Sequence, residues 1–246
     1  MNFLSHAIPH MDRPLVAVCT GVPDWLSVID RKIRIRPRMA AAHLDSGDPA
    51  VAAVAAGVMQ HIDDDRWFHG TESFVQTNLR LAVQLRDLLP GDAGFRPMFL
   101  GHVLIEVLLD AMWIDQDPSL AERYYAAVKQ TNASEIQRAI NIISGKPSTA
   151  IEATVVRYHE TAFLYDYGDD NRLHHRMNQV MHRVGLTPLP QCVQDWYPQA
   201  REIVAEQRHR LLSPPAGSKT RFPDMAASSM TTMHVQTHDA STDGTT

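Results

Sequence analysis

Between Pro97 and Trp113 only three side chains can carry charge, and they recur every fourth residue: His102, Glu106 and Asp110. An α-helix turns about 100° per residue, so residues four apart stay on one face. The remaining faces carry Val103, Leu104, Ile105, Val107, Leu108 and Leu109. Such a helix belongs in the interior of a fold. Burying an unpaired charge there costs several kcal/mol, roughly. The fold therefore has to bring a counter-charge, or a cation, to this stripe. A second ladder has the same spacing: His61, Asp65 and His69, in an Ala/Val-rich segment. The plain alternative, that each stripe is a solvated helix face, is disfavoured in the first case by the apolar flanks and in the second by Trp67 and Phe68 beside His69.

Helix signals run through most of the chain. Asp48-Pro49 is an N-cap and first-position pair that opens a helix over 49–66, continuing through His69 to about Leu89. Further helices are expected over 97–113, 119–129, 134–143, 151–164, 170–184 and 195–212. Strand evidence is confined to a brief alternation at Arg34-Ile35-Arg36, ended by Pro37. The expected class is all-α: a single-domain bundle of about eight helices over residues 1–212. After Leu212 the composition turns to Ser, Thr, Pro and Gly with few large apolar residues, so 213–246 reads as a disordered tail.

The charge balance excludes some functions. With 246 residues and a net charge of -5, nothing in the bulk points to a nucleic-acid partner. No apolar run approaches the roughly 20 residues of a membrane helix, so no membrane partner is expected. The two cysteines, Cys19 and Cys192, form no CxxC pattern and suggest a reducing, cytoplasmic compartment. No phosphate-binding glycine loop, nucleophile elbow or dinucleotide fingerprint is present.

The ladders carry the chemistry. Imidazole nitrogen and carboxylate oxygen together suit zinc, manganese or iron. His61, Asp65, His69 and His102 are the expected principal ligands of a divalent metal, completed by His6, Asp24 and Asp110. Glu106 is expected as a ligand or as a general base, and Asp65 shares the catalytic assignment. Taken alone, Asp24 reads as a helix N-cap rather than a ligand, and His6 as a satisfied, partly buried histidine. Arg31, Arg34 and Arg36 sit in a basic run, 31–38, that is either a solvated face or a place for a substrate phosphate or an acidic partner.

These residues also resemble a family. Met1-Asn2-Phe3-Leu4-Ser5-His6 is similar to the Met-Asn-Phe-Leu-Ala-His opening of the acyl carrier protein phosphodiesterases, helical enzymes related to HD-type phosphohydrolases. Gly21 to Trp25, with Asp24, is similar to the family's Gly-Asn-Leu-x-x-Asp-Phe stretch. Gly57, His61 and Asp65 match its Gly-x-x-x-His-x-x-Ile-Asp-x-Phe-x-Asp pattern, with Trp67 for the aromatic and His69 in place of the final Asp. His102 and Glu106 stand where its Asp-x-x-x-Asp-His stretch would fall. The early His and the paired ladders are also similar, more weakly, to bacterial zinc-dependent phospholipase C-type proteins. The resemblance covers about the first 115 residues. It implies an HD-like helical architecture and a metal-dependent phosphodiester hydrolase acting on acyl carrier protein or a small phosphodiester. The alternatives are a non-catalytic helical protein that stores a metal, or one that binds a carrier protein through the arginines.

Overall fold

Asp48 starts the helix that organises the molecule. Its Oδ1 accepts from the backbone N–H groups of Ala50 (3.0 Å) and Val51 (3.2 Å), and Pro49 fills the first turn where no N–H is needed. The computed structural model describes residues 1–89, 91 and 94–223, and among them every regular element is helical. In chain order the helices are α1 (Phe3–Ala7), α2 (Pro14–Cys19), α3 (Val22–Ile29), α4 (Pro37–Ala41), α5 (Pro49–Gly70), α6 (Glu72–Leu88), α7 (Pro97–Gln116), α8 (Pro118–Gln130), α9 (Ala133–Ser144), α10 (Ile151–Thr161), α11 (Asp170–Arg183) and α12 (Gln191–Leu211). Single 3-10 turns occupy Ile8–His10 and Phe163–Gly168.

The helices expected from periodicity are α5 to α12. Four short ones, α1 to α4, precede them and raise the count to twelve among the described residues. Segments of five to eight residues show barely two turns of pattern, too little to be read from spacing. The segment around Arg34-Ile35-Arg36 pairs with no strand; it is a connection that buries Ile33 and Ile35.

Two close helix crossings place the ladders. Helix α5 lies against α2, and a Cβ at Gly57 would come within 2.5 Å of the Cys19 carbonyl carbon. Only glycine permits that approach, one turn before His61. Helix α7 lies against α6, and a Cβ at Gly101 would meet Asn78 Oδ1 at 2.5 Å, one residue before His102. Between α5 and α6 the chain bends at Thr71. Its hydroxyl donates to Phe68 O (2.8 Å) and accepts from Phe74 N (3.2 Å), so it closes one helix and caps the next.

Helix α7 is the central element, packed by α1, α6, α8, α12 and the 3-10 turn at Phe163–Gly168. Leu100, Leu104, Ile105, Leu108, Leu109 and Trp113 are buried around its circumference. By length and composition α7 could cross a membrane, with a mean hydropathy of 1.5 over its apolar window, contrary to the sequence expectation; 56% of that window is buried inside the molecule.

The chain after α12 also departs from expectation. Residues 213–223 fold back onto the bundle: Thr220 is buried, and the Phe222 ring stacks on Trp113 with centroids 5.7 Å apart. The rest of the expected tail, 224–246, lies outside the described residues.

Candidate metal centre

An ideal helix rises about 1.5 Å per residue, so positions eight apart are separated by about 12 Å along the axis. One ion cannot be shared by both ends of either ladder, and the structure divides the ladders accordingly. His61 and Asp65 of α5 meet His6 of α1, while His69 of α5 meets His102 and Glu106 of α7. In each trio one donor atom per residue lies within 4.8 Å of the others. Three elements thus supply the donors, with α5 common to both sites.

In the first trio, Asp65 Oδ1 is 3.3 Å from His6 Nε2, and Asp65 Oδ2 is 3.3 Å from His61 Nε2. The two imidazoles stack at 4.2 Å between centroids. His6 Nε2 and His61 Nδ1 are buried with no hydrogen-bond partner. An orphaned ring nitrogen facing a carboxylate at that distance is an arrangement a cation between them satisfies. In the second trio a single oxygen, Glu106 Oε1, receives His69 Nε2 at 2.8 Å and His102 Nε2 at 3.1 Å. Those imidazoles lie 4.4 Å apart, with the Phe74 ring against both.

The trios are joined through Met1. Its amine donates to Asp65 Oδ1 at 2.7 Å and to Glu106 Oε1 at 3.1 Å. Burial works against this ammonium, but Glu106 and Asp65 outweigh it and push its pKa up to about 10. The same pairing acts on the carboxylates. Burial opposes their ionisation, yet the Met1 ammonium and the imidazoles hold Asp65 and Glu106 far below the usual carboxylate range. Burial and the Met1 charge also depress His6, but its contacts with Asp64 and Asp65 push it up to about 9. The site is a cradle of fixed negative charge, compensated by protons.

The two sites differ in access. The imidazoles of the first trio are buried (His6 fully, His61 8% exposed) and those of the second are not (His69 28%, His102 36%), while the carboxylates run the other way, Asp65 33% against Glu106 16%. Solvent therefore reaches the first trio at its carboxylate and the second at its imidazoles.

Asp110 was expected to complete the ligand shell, and the structure assigns it otherwise. Its Oδ1 accepts from Ser5 N (2.8 Å) and Ser5 Oγ (2.6 Å), and its Oδ2 from Asn2 Nδ2 (2.9 Å) and Leu4 N (3.0 Å). With both oxygens occupied, it anchors the first turn of α1 and so delivers His6 to the site. Burial nevertheless pushes its carboxyl up to about 6 against these hydrogen bonds. Asp24, also expected as a ligand, belongs to neither trio. It sits in the first turn of α3, raised by burial and partly restored by the charges of His61 and His6.

The arginines lie apart as well. Arg31 donates to Ser27 O (3.4 Å) and Arg183 O (3.2 Å). Arg34 and Arg36, with Lys32, Arg38 and Lys146, line a surface groove of about 800 Å³. Among the described residues no hydrogen bond or ion pair links these arginines to either trio. Two contributors were not anticipated: the Met1 amine and Thr220, which reaches Asp64 behind His6.

Compared with known protein families, curated proteins and solved structures, the chain matches none.

Proposed function

We propose that the chain is a metal-dependent hydrolase of phosphoric esters. The observation that carries this reading is the pair of His/His/carboxylate trios set side by side and linked through Asp65 and Glu106. His6, His61 and Asp65 would hold one divalent cation, and His69, His102 and Glu106 a second, in each case manganese, zinc or iron. When bound, such an ion lowers the pKa of its water to about 7 and polarises a phosphoryl oxygen. The chain's own residues do the rest. Asp65 and Glu106 stay ionised and supply the compensating charge. Glu106 engages its three donors through Oε1, and its strongly lowered pKa suits it to hold a cation rather than to take a proton. The partly exposed His69 and His102 give an ester access to the second cation.

The acyl carrier protein phosphodiesterases, with their HD-like helical architecture, are the family whose substrate we propose. In support, three of the residues that carry the resemblance, His6, His61 and Asp65, make up one trio. Arg31, Arg34 and Arg36 would then serve a substrate phosphate or the acidic carrier, in the cytoplasm. A second reading, a non-catalytic protein with a structural metal, is favoured by the burial of His6 and His61 alone.

Turnover of bis-nitrophenyl phosphate with added manganese tests the enzyme claim. The wild-type protein is expected to show metal-dependent hydrolysis that His61→Ala with His102→Ala abolishes. Activity no higher than that of the double variant would leave the structural-metal reading.

A further inference from the structure

The carboxylate that orients His6 is not a member of either trio. Asp64 is fully buried, and its Oδ2 stands 3.3 Å from His6 Nδ1. Three donors converge on its other oxygen: Gln60 Nε2 at 2.8 Å, Trp67 Nε1 at 3.3 Å, and the Thr220 hydroxyl. Gln60 Nε2 also reaches Thr220 Oγ1, at 3.2 Å. With Oδ1 saturated, the carboxylate is fixed so that Oδ2 faces the imidazole. The His6 ring is then committed: Nδ1 to Asp64, and Nε2, which has no hydrogen-bond partner, to the trio. A ligating histidine that gives its second nitrogen to a buried carboxylate is held in tautomer and orientation by it.

Thr220 is the unexpected member, because it comes from the chain beyond the last helix, 156 residues from Asp64 in sequence. The segment that carries it is built to stay in place. Ser218 Oγ accepts from Thr220 N at 3.1 Å, Arg221 Nη1 donates to Ser218 O at 2.6 Å, and Phe222 stacks on Trp113 of α7. Thr220 is 1% exposed. A polar side chain buried at the end of such a segment, aimed at one carboxylate, does more than close the core.

We propose that Thr220 is a positioning residue of the first metal site: through Asp64 it sets the His6 ring, and the folded-back segment is part of the metal centre. This inference rests on the metal reading above. Loss of the Thr220 hydroxyl leaves Asp64 Oδ1 to Gln60 and Trp67 alone, which loosens the carboxylate and with it the orientation of His6. The second trio, which Asp64 does not touch, is unaffected.

The test is a competition titration of the full chain with zinc against a chromophoric chelator, comparing wild type, Thr220→Val and Thr220→Ser. The expected result is two zinc equivalents in wild type. In Thr220→Val one of them should weaken about 10- to 100-fold and the other should not change, with Thr220→Ser restoring the first. NMR of the zinc-loaded protein gives an independent reading. The His6 Nδ1–H proton, identified by its loss in His6→Gln, should lie downfield in wild type and Thr220→Ser and move upfield in Thr220→Val. Two zinc affinities unchanged from wild type and an unmoved resonance in Thr220→Val would overturn the positioning role while leaving the metal reading intact. A wild-type protein that takes up no zinc would overturn both.

Discussion

Asp110 shows how one residue type at the right spacing can do different work. It is a full turn past Glu106 on the same face of α7, yet its oxygens are taken by Asn2, Leu4 and Ser5. Asp110→Ala leaves those buried donors unpaired, each at a cost of about 1–3 kcal/mol. Urea denaturation should therefore show a loss on the order of 3–5 kcal/mol, and the variant should lose the His6 site. A variant as stable as wild type would mean that α1 is held by its apolar contacts alone. The proton balance of the metal-free site gives a second prediction. His6 rises from its ordinary 6.5 to about 9, and the Met1 amine from 8.0 to about 10. A raised folded pKa stabilises the fold fully below the unfolded value, and that stability is lost as pH climbs through the folded one. Metal-free protein should thus weaken steadily from about pH 7 to 10, by on the order of 3 kcal/mol from His6 alone. His6→Gln should flatten that slope; an unchanged slope would place the titration elsewhere.

At the scale of the helix, the chain displayed its donors more clearly than their grouping. The spacing of 61, 65, 69 and of 102, 106, 110 gave the two faces, and the apolar flanks gave the burial of α7. What spacing could not give is which donors meet, because that depends on helix crossings set by single small residues. His69 leaves its own ladder for His102 and Glu106, and His6 arrives from a five-residue helix with too few turns to show a pattern. Gly57 is the sequence trace of one crossing. Alanine at an interior helix position ordinarily gains about 1 kcal/mol over glycine. At Gly57 its methyl would instead meet the Cys19 backbone at 2.5 Å, which cannot move aside. Gly57→Ala should lose about 1–3 kcal/mol of stability despite its better helix propensity. Gly70, at the end of the same helix with nothing within 4 Å, should be neutral or gain slightly on the same change. Thermal melts of the two variants decide; equal behaviour would show that the α2–α5 contact is not tight.

Over the whole molecule, the centre is assembled on two mid-chain helices, α5 and α7, by segments brought from far along the sequence. Met1, Asn2, Ser5 and His6 come from the start, Thr220 and Phe222 from the segment after α12, and all are gathered on α5 and α7. The fold class was plain in the sequence because eight segments repeat with helical period. The returning segment was not, because Ser, Thr, Pro and Gly without large apolar residues look the same whether a chain is free or pinned by one threonine and one phenylalanine. The basic groove of Lys32, Arg34, Arg36, Arg38 and Lys146 belongs to this scale too: its local charge is opposite to the net charge of -5. The proposed hydrolase requires both trios to be cation sites. Anomalous diffraction from crystals soaked in manganese tests that requirement directly. One peak is expected among His6, His61 and Asp65 and another among His69, His102 and Glu106. Manganese bound only elsewhere, with both trios empty, would contradict it.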